Sequence, residues 1–482
     1  MLFRSKFDEV YIKLKADPGI MMEMSEYFTF TVPGAKFMPA YRSKFWDGKV
    51  RLLNVMTGLI YAGLLRYVEE FCRSRDYIVE HVSDFSSEEF SVKEAKDFIA
   101  KLKPTMQPRD YQIDAFVHAV RERRALMLSP TASGKSFIIY LLVRYYAKRT
   151  LILVPTTSLV SQLASDFADY GFESDTFVHR VFAGQDKGTT KPITITTWQS
   201  IYKLPKDFFS TFDVVIGDEA HLFKAKSLTS VLTKLSGCRY RFGFTGTLDG
   251  TQTHRLVLEG LFGPVRKVTT TSELIEQKHL ADFKIKAIVL NYPEEVRKMI
   301  ARSSDYQAEM DYLVRLEARN KFIRNLALSL EGNTLLLFQY VEKHGKALFN
   351  ELTREADKSR NVFFVSGEVS GEDREGIRKI TEGENDAIIV ASFGTFSTGV
   401  NIRNLHNIIF ASPSKSRTRN LQSIGRGLRK SETKTSSTLY DIADDMSWKN
   451  KKNYTLLHFM ERIKTYNEEK FEYKIYKVSL EY

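Results

Sequence analysis

Two cysteines in 482 residues, Cys72 and Cys238, leave no material for a disulfide framework, and their separation gives no metal-ligand spacing. With 12 prolines and 26 glycines the chain has no collagenous or disordered signature, and it carries no internal repeat or low-complexity tract. Long apolar runs are missing as well. The opening MLFRSKFDEVYIKLK is broken by charge every few residues, and no stretch approaches the roughly 20 apolar residues of a membrane helix. These absences exclude a disulfide-stapled secreted module and a helical membrane protein, and lead to the expectation of a cytoplasmic protein with reduced, buried thiols and no membrane partner.

What is present reads as globular: 43% hydrophobic and 27% charged residues, in a chain long enough for about three cores. Lys and Arg number 71 against 59 Asp and Glu, and the net charge of +12 suits a polyanionic partner.

Residues 1–103 read as a small α+β unit, in which a short meander built on FTFTV and KVRLLN precedes one helix, LLRYVEEFCRSRDY. Its Lys36, Arg42, Lys44, Lys49 and Arg51 interleave with Phe37, Tyr41, Phe45 and Trp46. Such a mixture grips phosphates and stacks on bases; the alternative is a solvated strand face over core aromatics. From 104 the pattern becomes short apolar strands alternating with helices, the sign of a parallel sheet covered on both faces. ALMLS, LILVP, ITITT, DVVIG and RFGFTG fill 104–282; NTLLLFQ, NVFFVSG, AIIVAS, NIIFAS and TLYDIAD fill 283–445. Residues 446–482 read as a basic terminal helix and strand packed on the second α/β domain.

The stretch LMLSPTASGKS sets an apolar strand against Gly134, Lys135 and Ser136. A helix N-terminus there offers orphan N–H groups and a favourable dipole to polyphosphate. Lys135 would reach the β- and γ-phosphates and Ser136 would hold Mg²⁺. VVIGDEAH puts Asp218 and Glu219 at the end of another strand, Asp218 to support Mg²⁺ and Glu219 to polarise the attacking water. In PRDYQ, Arg109 and Gln112 precede the phosphate loop, where an amide can read an adenine edge. VPTTSLVSQ and ITTWQS end strands with hydroxyls and an amide suited to nucleic-acid phosphates, at Thr156, Thr157, Thr197 and Gln199. TGT follows at Thr245–Thr247, ASFGTFSTGVN ends a strand near Ser392, and QSIGRGLRK sets Arg426 and Arg429 three residues apart on one helix face. If phosphate loop and arginines stand on different domains, ATP is split only when the two close.

This ordered set, the phosphate loop, DEAH, TGT and QxxGRxxR over about residues 104–445, resembles the DEAH-bearing group of superfamily 2 helicases and translocases. Departures are Ser129 in place of the first glycine of the phosphate loop, one extra residue in the 392–399 stretch, and Asn401 where many relatives carry aspartate. Nearly the whole chain is similar to the UvsW helicases of tailed phages, through FMPAYRSKFWDGKVRLLN, VPTTSLVSQ, ITTWQS, FGTFSTGV and QSIGRGLRK. The resemblance implies an α/β fold, two tandem RecA-like parallel-sheet domains with a small α+β N-terminal domain. It implies ATP and Mg²⁺ as cofactors and Lys135, Asp218, Glu219, Arg426 and Arg429 as catalytic residues. Nucleotide would be held by Arg109, Gln112, Pro130, Thr131, Ala132, Ser133, Gly134, Lys135, Ser136, His221, Gly399, Asn401 and Gln422, and the metal by Ser136 and Asp218. DNA would lie on Thr156, Thr157, Thr197, Gln199 and Ser392, with Arg42, Lys44 and Trp46 of the N-terminal domain assisting. The implied activity is ATP-dependent remodelling of branched DNA (forks, Holliday junctions, D-loops, and R-loops with their RNA strand) in recombination, replication and repair. The enzyme would be a monomer in the host cytoplasm.

Motifs that touch phosphates do not distinguish DNA from RNA, so an RNA helicase or a duplex translocase that never parts strands stays open. So does a regulatory nucleic-acid binder with a decayed nucleotide site, against which the intact Lys135, Asp218 and Glu219 speak. A fused nuclease is not expected: Asp441, Asp444 and Asp445 read as a strand end and a helix cap.

Overall fold

The computed structural model describes residues 2–81, 87–182, 188–222, 226–248, 251–302, 305–367, 376–377, 380–381, 383–399, 402, 404–430 and 434–481. The chain divides into two compact units, Met1–Ser129 with Gly134–Val268, and Thr269–Tyr482 with Pro130–Ser133.

The first unit begins with a five-stranded sheet ordered Leu53–Asn54, Leu59–Tyr61, Tyr11–Ala16, Leu2–Lys6, Val79–His81. Period-two alternation builds it: Ile12 and Leu14 are buried while Lys13 and Lys15 are exposed. Helices Pro18–Tyr27 and Leu65–Arg73 add Met24, Val68 and Phe71 to its core. The sequence reading of one meander and one helix needs correction here. Thr29–Thr31 and Lys49–Arg51 pair antiparallel in a ribbon of their own, outside this sheet. The strands Leu2–Lys6 and Tyr11–Ala16 escaped because lysine and arginine at alternate positions hide short apolar faces.

A seven-stranded parallel sheet follows, ordered Val178–Val181, Ile193–Thr197, Thr150–Val154, Val214–Gly217, Tyr240–Thr245, Arg124–Leu128, Val265–Lys267. Its central strands Thr150–Val154 and Val214–Gly217 are buried along their whole length because both faces are covered. Met127, Ile152, Val154 and Ile216 pack to one side with Ile138 and Leu141, while Leu126, Leu151, Leu153 and Val215 pack to the other with Leu261 and Phe262. Helix Val92–Leu102, read from sequence with the N-terminal unit, buries Ala95 and Ile99 in the first of these clusters.

The N-terminal sheet is docked on helix Gln252–Phe262, which follows the TGT segment. Leu256 of that helix belongs to the N-terminal core. The approach is close enough to require two glycines: a Cβ on Gly63 would stand 1.9 Å from the Glu259 carbonyl oxygen, and one on Gly260 would stand 2.7 Å from the Tyr61 Cβ.

The second unit holds another seven-stranded parallel sheet, ordered Val362–Val365, Ile388–Ser392, Thr334–Phe338, Asn407–Phe410, Ser436–Asp445, Asp282–Asn291, Tyr473–Ser479. The terminal strand is thus an edge of this sheet rather than a separate layer packed against it. Asp441 and Asp444 differ from the expected cap. They are buried in strand Ser436–Asp445, where Asp441 pairs with Arg462 at 2.8 Å and Asp444 with Arg319 at 2.7 Å. Asp445 accepts a hydrogen bond from the Ser447 N–H.

Candidate active site

Strands Val214–Gly217, Tyr240–Thr245 and Arg124–Leu128 are neighbours in the first parallel sheet, so their C-terminal ends deliver three motifs to one edge. After Arg124–Leu128 the chain turns through Ala132 at φ +65° and Gly134 at φ +80°, and helix Lys135–Tyr146 begins. Gly134 answers two demands. Its φ is left-handed, and a Cβ would lie 2.3 Å from Gln112 Nε2. The Gln112 side chain is buried, accepts from the Arg109 N–H at 2.9 Å and donates to the Gly134 carbonyl at 3.4 Å. It therefore ties helix Asp110–Glu122 to the loop. Arg109 donates to the Tyr111 hydroxyl at 2.7 Å. Ser133 Oγ donates to the Pro130 carbonyl at 2.7 Å, tightening the turn that also holds Thr131.

Lys135 Nζ donates to Glu219 Oε1 at 2.8 Å and stands 3.9 Å from Asp218 Oδ1. The other Glu219 oxygen lies 3.4 Å from His221 Nδ1, which is 2.9 Å from Thr245 Oγ1, and that hydroxyl donates to the Thr247 carbonyl at 2.8 Å. One polar chain thereby joins phosphate loop, DEAH and TGT. Glu219 adopts φ +50°, an unfavourable backbone for a residue with a Cβ, held by the Glu219 N–H donating to Asp218 Oδ1 at 2.9 Å. Burial raises the Asp218 carboxyl above the usual carboxylate range; Lys135 opposes the shift and Glu219 adds to it.

Hard oxygen donors suit Mg²⁺, and Asp218 with the Ser136 hydroxyl supplies them. No group of three or more His, Cys, Asp or Glu among the described residues could hold a metal by itself. Ser136 Oγ is hydrogen-bonded to the Tyr170 hydroxyl at 2.7 Å, a partner that no motif announced.

On the neighbouring strand ends, Thr156 caps helix Thr157–Asp169 and shares a 3.0 Å hydrogen bond with Ser158, and Thr197 Oγ1 shares one of 2.9 Å with Ser200. Thr157 and Gln199 are exposed. In the second unit Ser392 Oγ donates to Thr395 Oγ1 at 2.8 Å and accepts from its N–H, capping helix Phe393–Gly399. Asn401 lies outside the described residues. Helix Arg417–Gly427 carries Gln422 and Arg426, whose guanidinium stands 5.6 Å from the Phe396 ring centre, and Arg429 follows two residues after it. Sequence reasoning missed Lys434, which is buried and donates to the Gly427 and Arg429 carbonyls, bracing the end of that helix. Burial pushes its ammonium down to about 7.

In the N-terminal ribbon Arg42 and Lys44 are exposed, but Trp46 is half-buried and donates its indole N–H to the Lys49 carbonyl at 2.8 Å.

Comparison with known proteins agrees with this geometry. Residues 3–82 match the family described as "DNA helicase UvsW, N-terminal", 105–250 match "Type III restriction enzyme, res subunit", and 317–431 match "Helicase conserved C-terminal domain". The ATP-dependent DNA helicase uvsW of Enterobacteria phage T4 is 35% identical over 502 aligned residues, covering 98% of each chain. The DNA 3'-5' translocase XPB2 of Sulfurisphaera tokodaii is 24% identical over 69% of this chain and 80% of its own. The crystal structure of T4 UvsW superposes with a TM-score of 0.53 at 34% identity, covering 100% of both chains. Tandem RecA-like sheets, a small N-terminal α+β domain and a phosphate loop wired to DEAH and TGT thus accompany full-length similarity, and the chain belongs to the UvsW family of ATP-dependent helicases.

Proposed function

We propose that this chain hydrolyses ATP with Mg²⁺ to remodel branched DNA, namely stalled forks, Holliday junctions, D-loops and R-loops, in recombination, replication and repair. We further infer that it acts as a monomer in the cytoplasm of the host cell. The observation that carries the reading is the continuous chain Lys135–Glu219–His221–Thr245, which links the group that meets the γ-phosphate to the DEAH and TGT segments. In this reading the loop N–H groups and Lys135 orient the polyphosphate, and Glu219 orients the water for in-line attack. Ser136 and Asp218 would hold Mg²⁺, which would supply charge neutralisation at the phosphates. Arg426 and Arg429 supply the charge that the second domain brings to the transition state. Thr156, Thr157, Thr197 and Gln199 hold the tracked strand through its phosphates, while Arg42 and Lys44 grip DNA from the N-terminal domain.

Lys135→Ala tests the reading. Phosphate release stimulated by fork DNA should fall by about 100-fold or more, and branch movement should stop with it. A Lys135→Ala protein that still moves forks would refute the assignment. The same assay on plain duplex and on RNA hybrids separates fork remodelling from simple translocation or RNA unwinding.

A further inference from the structure

Between the two strands of the N-terminal ribbon the chain makes an excursion over residues 32–48 that is tied down by its own backbone. Val32 N–H bonds to the Gly48 carbonyl at 2.8 Å, Arg42 N–H to that of Met38 at 3.1 Å, Lys44 N–H to that of Tyr41 at 3.0 Å and Trp46 N–H to that of Ala40 at 3.1 Å. Lys44 takes φ +60°, the one non-glycine residue of the excursion with a left-handed backbone, immediately before the two aromatics. Trp46 turns back onto Lys49. Phe45 projects outward with 92% of its surface exposed, on an excursion that also leaves Phe37 66% exposed.

Scattered exposed apolar residues need no explanation, but this one stands among Lys36, Arg42, Lys44 and Lys49, and the excursion's one acid, Asp47, is paired with Arg51. An exposed apolar ring on a segment rich in exposed positive charge is complementary to a nucleobase attached to its phosphates. In a continuous duplex both faces of every base are already stacked, so only an unpaired or terminal base can use such a ring.

We propose that Phe45 stacks on an unpaired base at a DNA branch point while Arg42 and Lys44 hold the adjoining phosphates, making this excursion the element that distinguishes a branch from plain duplex. The inference rests on the DNA-remodelling reading above and assigns it a residue. It also moves the stacking role from Trp46 to Phe45.

The test uses the full chain carrying Phe45→Ala or Phe45→Trp. Binding is measured to a fork with 2-aminopurine as the unpaired junction base and, separately, to a linear duplex of equal length. The expected result is that Phe45→Ala lowers the fork-over-duplex preference by roughly tenfold or more and removes the quenching of 2-aminopurine, while Phe45→Trp keeps both. Because the ring touches no core, thermal stability of the two variants should match the parent, separating loss of stacking from loss of fold. A Phe45→Ala protein with the parent's fork preference and quenching overturns the proposal. So does an equal loss on fork and duplex, which would make the excursion a general phosphate grip. An unchanged preference together with loss of a co-purifying protein would identify it as a protein-docking surface instead. A parent protein that hydrolyses no ATP on any DNA would fail the function itself, an outcome distinct from all of these.

Discussion

His344 shows how far a single buried side chain reaches. It is fully buried between Ser412 Oγ at 3.1 Å and Asn320 Oδ1 at 3.2 Å, and burial beside Arg319 pushes it from its ordinary 6.5 to about 3. Half-buried His118 and His458 are each pushed down to about 4 for the same leading reason. In each case the unfolded chain takes up a proton at a higher pH than the folded one. Stability is therefore complete above pH 6.5 and is lost as pH falls toward 4. Melting temperature should decline steadily over that window, and His344→Gln should flatten the decline; a flat profile in the parent protein would exclude the histidine account. At this scale the grouping of Lys135 with Asp218 and Glu219 was readable. Lys135, Asp218 and Glu219 declare themselves by residue type and position after apolar strands. Tyr170 and Lys434 did not, because they reach their partners through space from segments without a motif. The difference between Phe45, 92% exposed, and Trp46, whose indole N–H is bonded to the Lys49 carbonyl, is likewise not encoded in composition.

At the scale of elements, Glu309 fastens the C-terminal helix to the second domain. From helix Tyr306–Arg315 its buried carboxylate accepts from Thr455 N–H and Oγ1, both at 2.7 Å, from Asn453 Nδ2 at 3.0 Å and from Tyr454 N–H at 2.9 Å. It acts as a borrowed N-cap for helix Tyr454–Glu468, favoured by the helix dipole. Glu309→Ala leaves those donors buried and unmatched and should cost about 2–3 kcal/mol in urea unfolding. A change below about 0.5 kcal/mol would mean the helix is held by packing alone. The central strands of the two parallel sheets were legible because they are buried along their whole length. The N-terminal strands and the pairing of Tyr473–Ser479 with Asp282–Asn291 were not, since half-exposed strands mix lysine into their pattern and sheet order is a non-local property.

For the molecule as a whole, the proposal is that ATP hydrolysis depends on residues carried by both RecA-like domains. The first carries Lys135, Asp218, Glu219 and the histidine link to TGT; the second carries Arg426 on helix Arg417–Gly427 and Arg429 two residues beyond it, with Lys434 bonded to the Gly427 and Arg429 carbonyls. The tandem α/β domains that carry these motifs were legible in the sequence, whereas the close docking of the N-terminal sheet on helix Gln252–Phe262 through Gly63 and Gly260 was not. The direct measurement is steady-state ATP turnover on fork DNA by the Arg426→Ala, Arg429→Ala double variant, alongside its affinity for ATP. The account predicts a turnover lower by roughly 10³- to 10⁵-fold while nucleotide still binds to the first domain's loop. Turnover near that of the parent protein would contradict it.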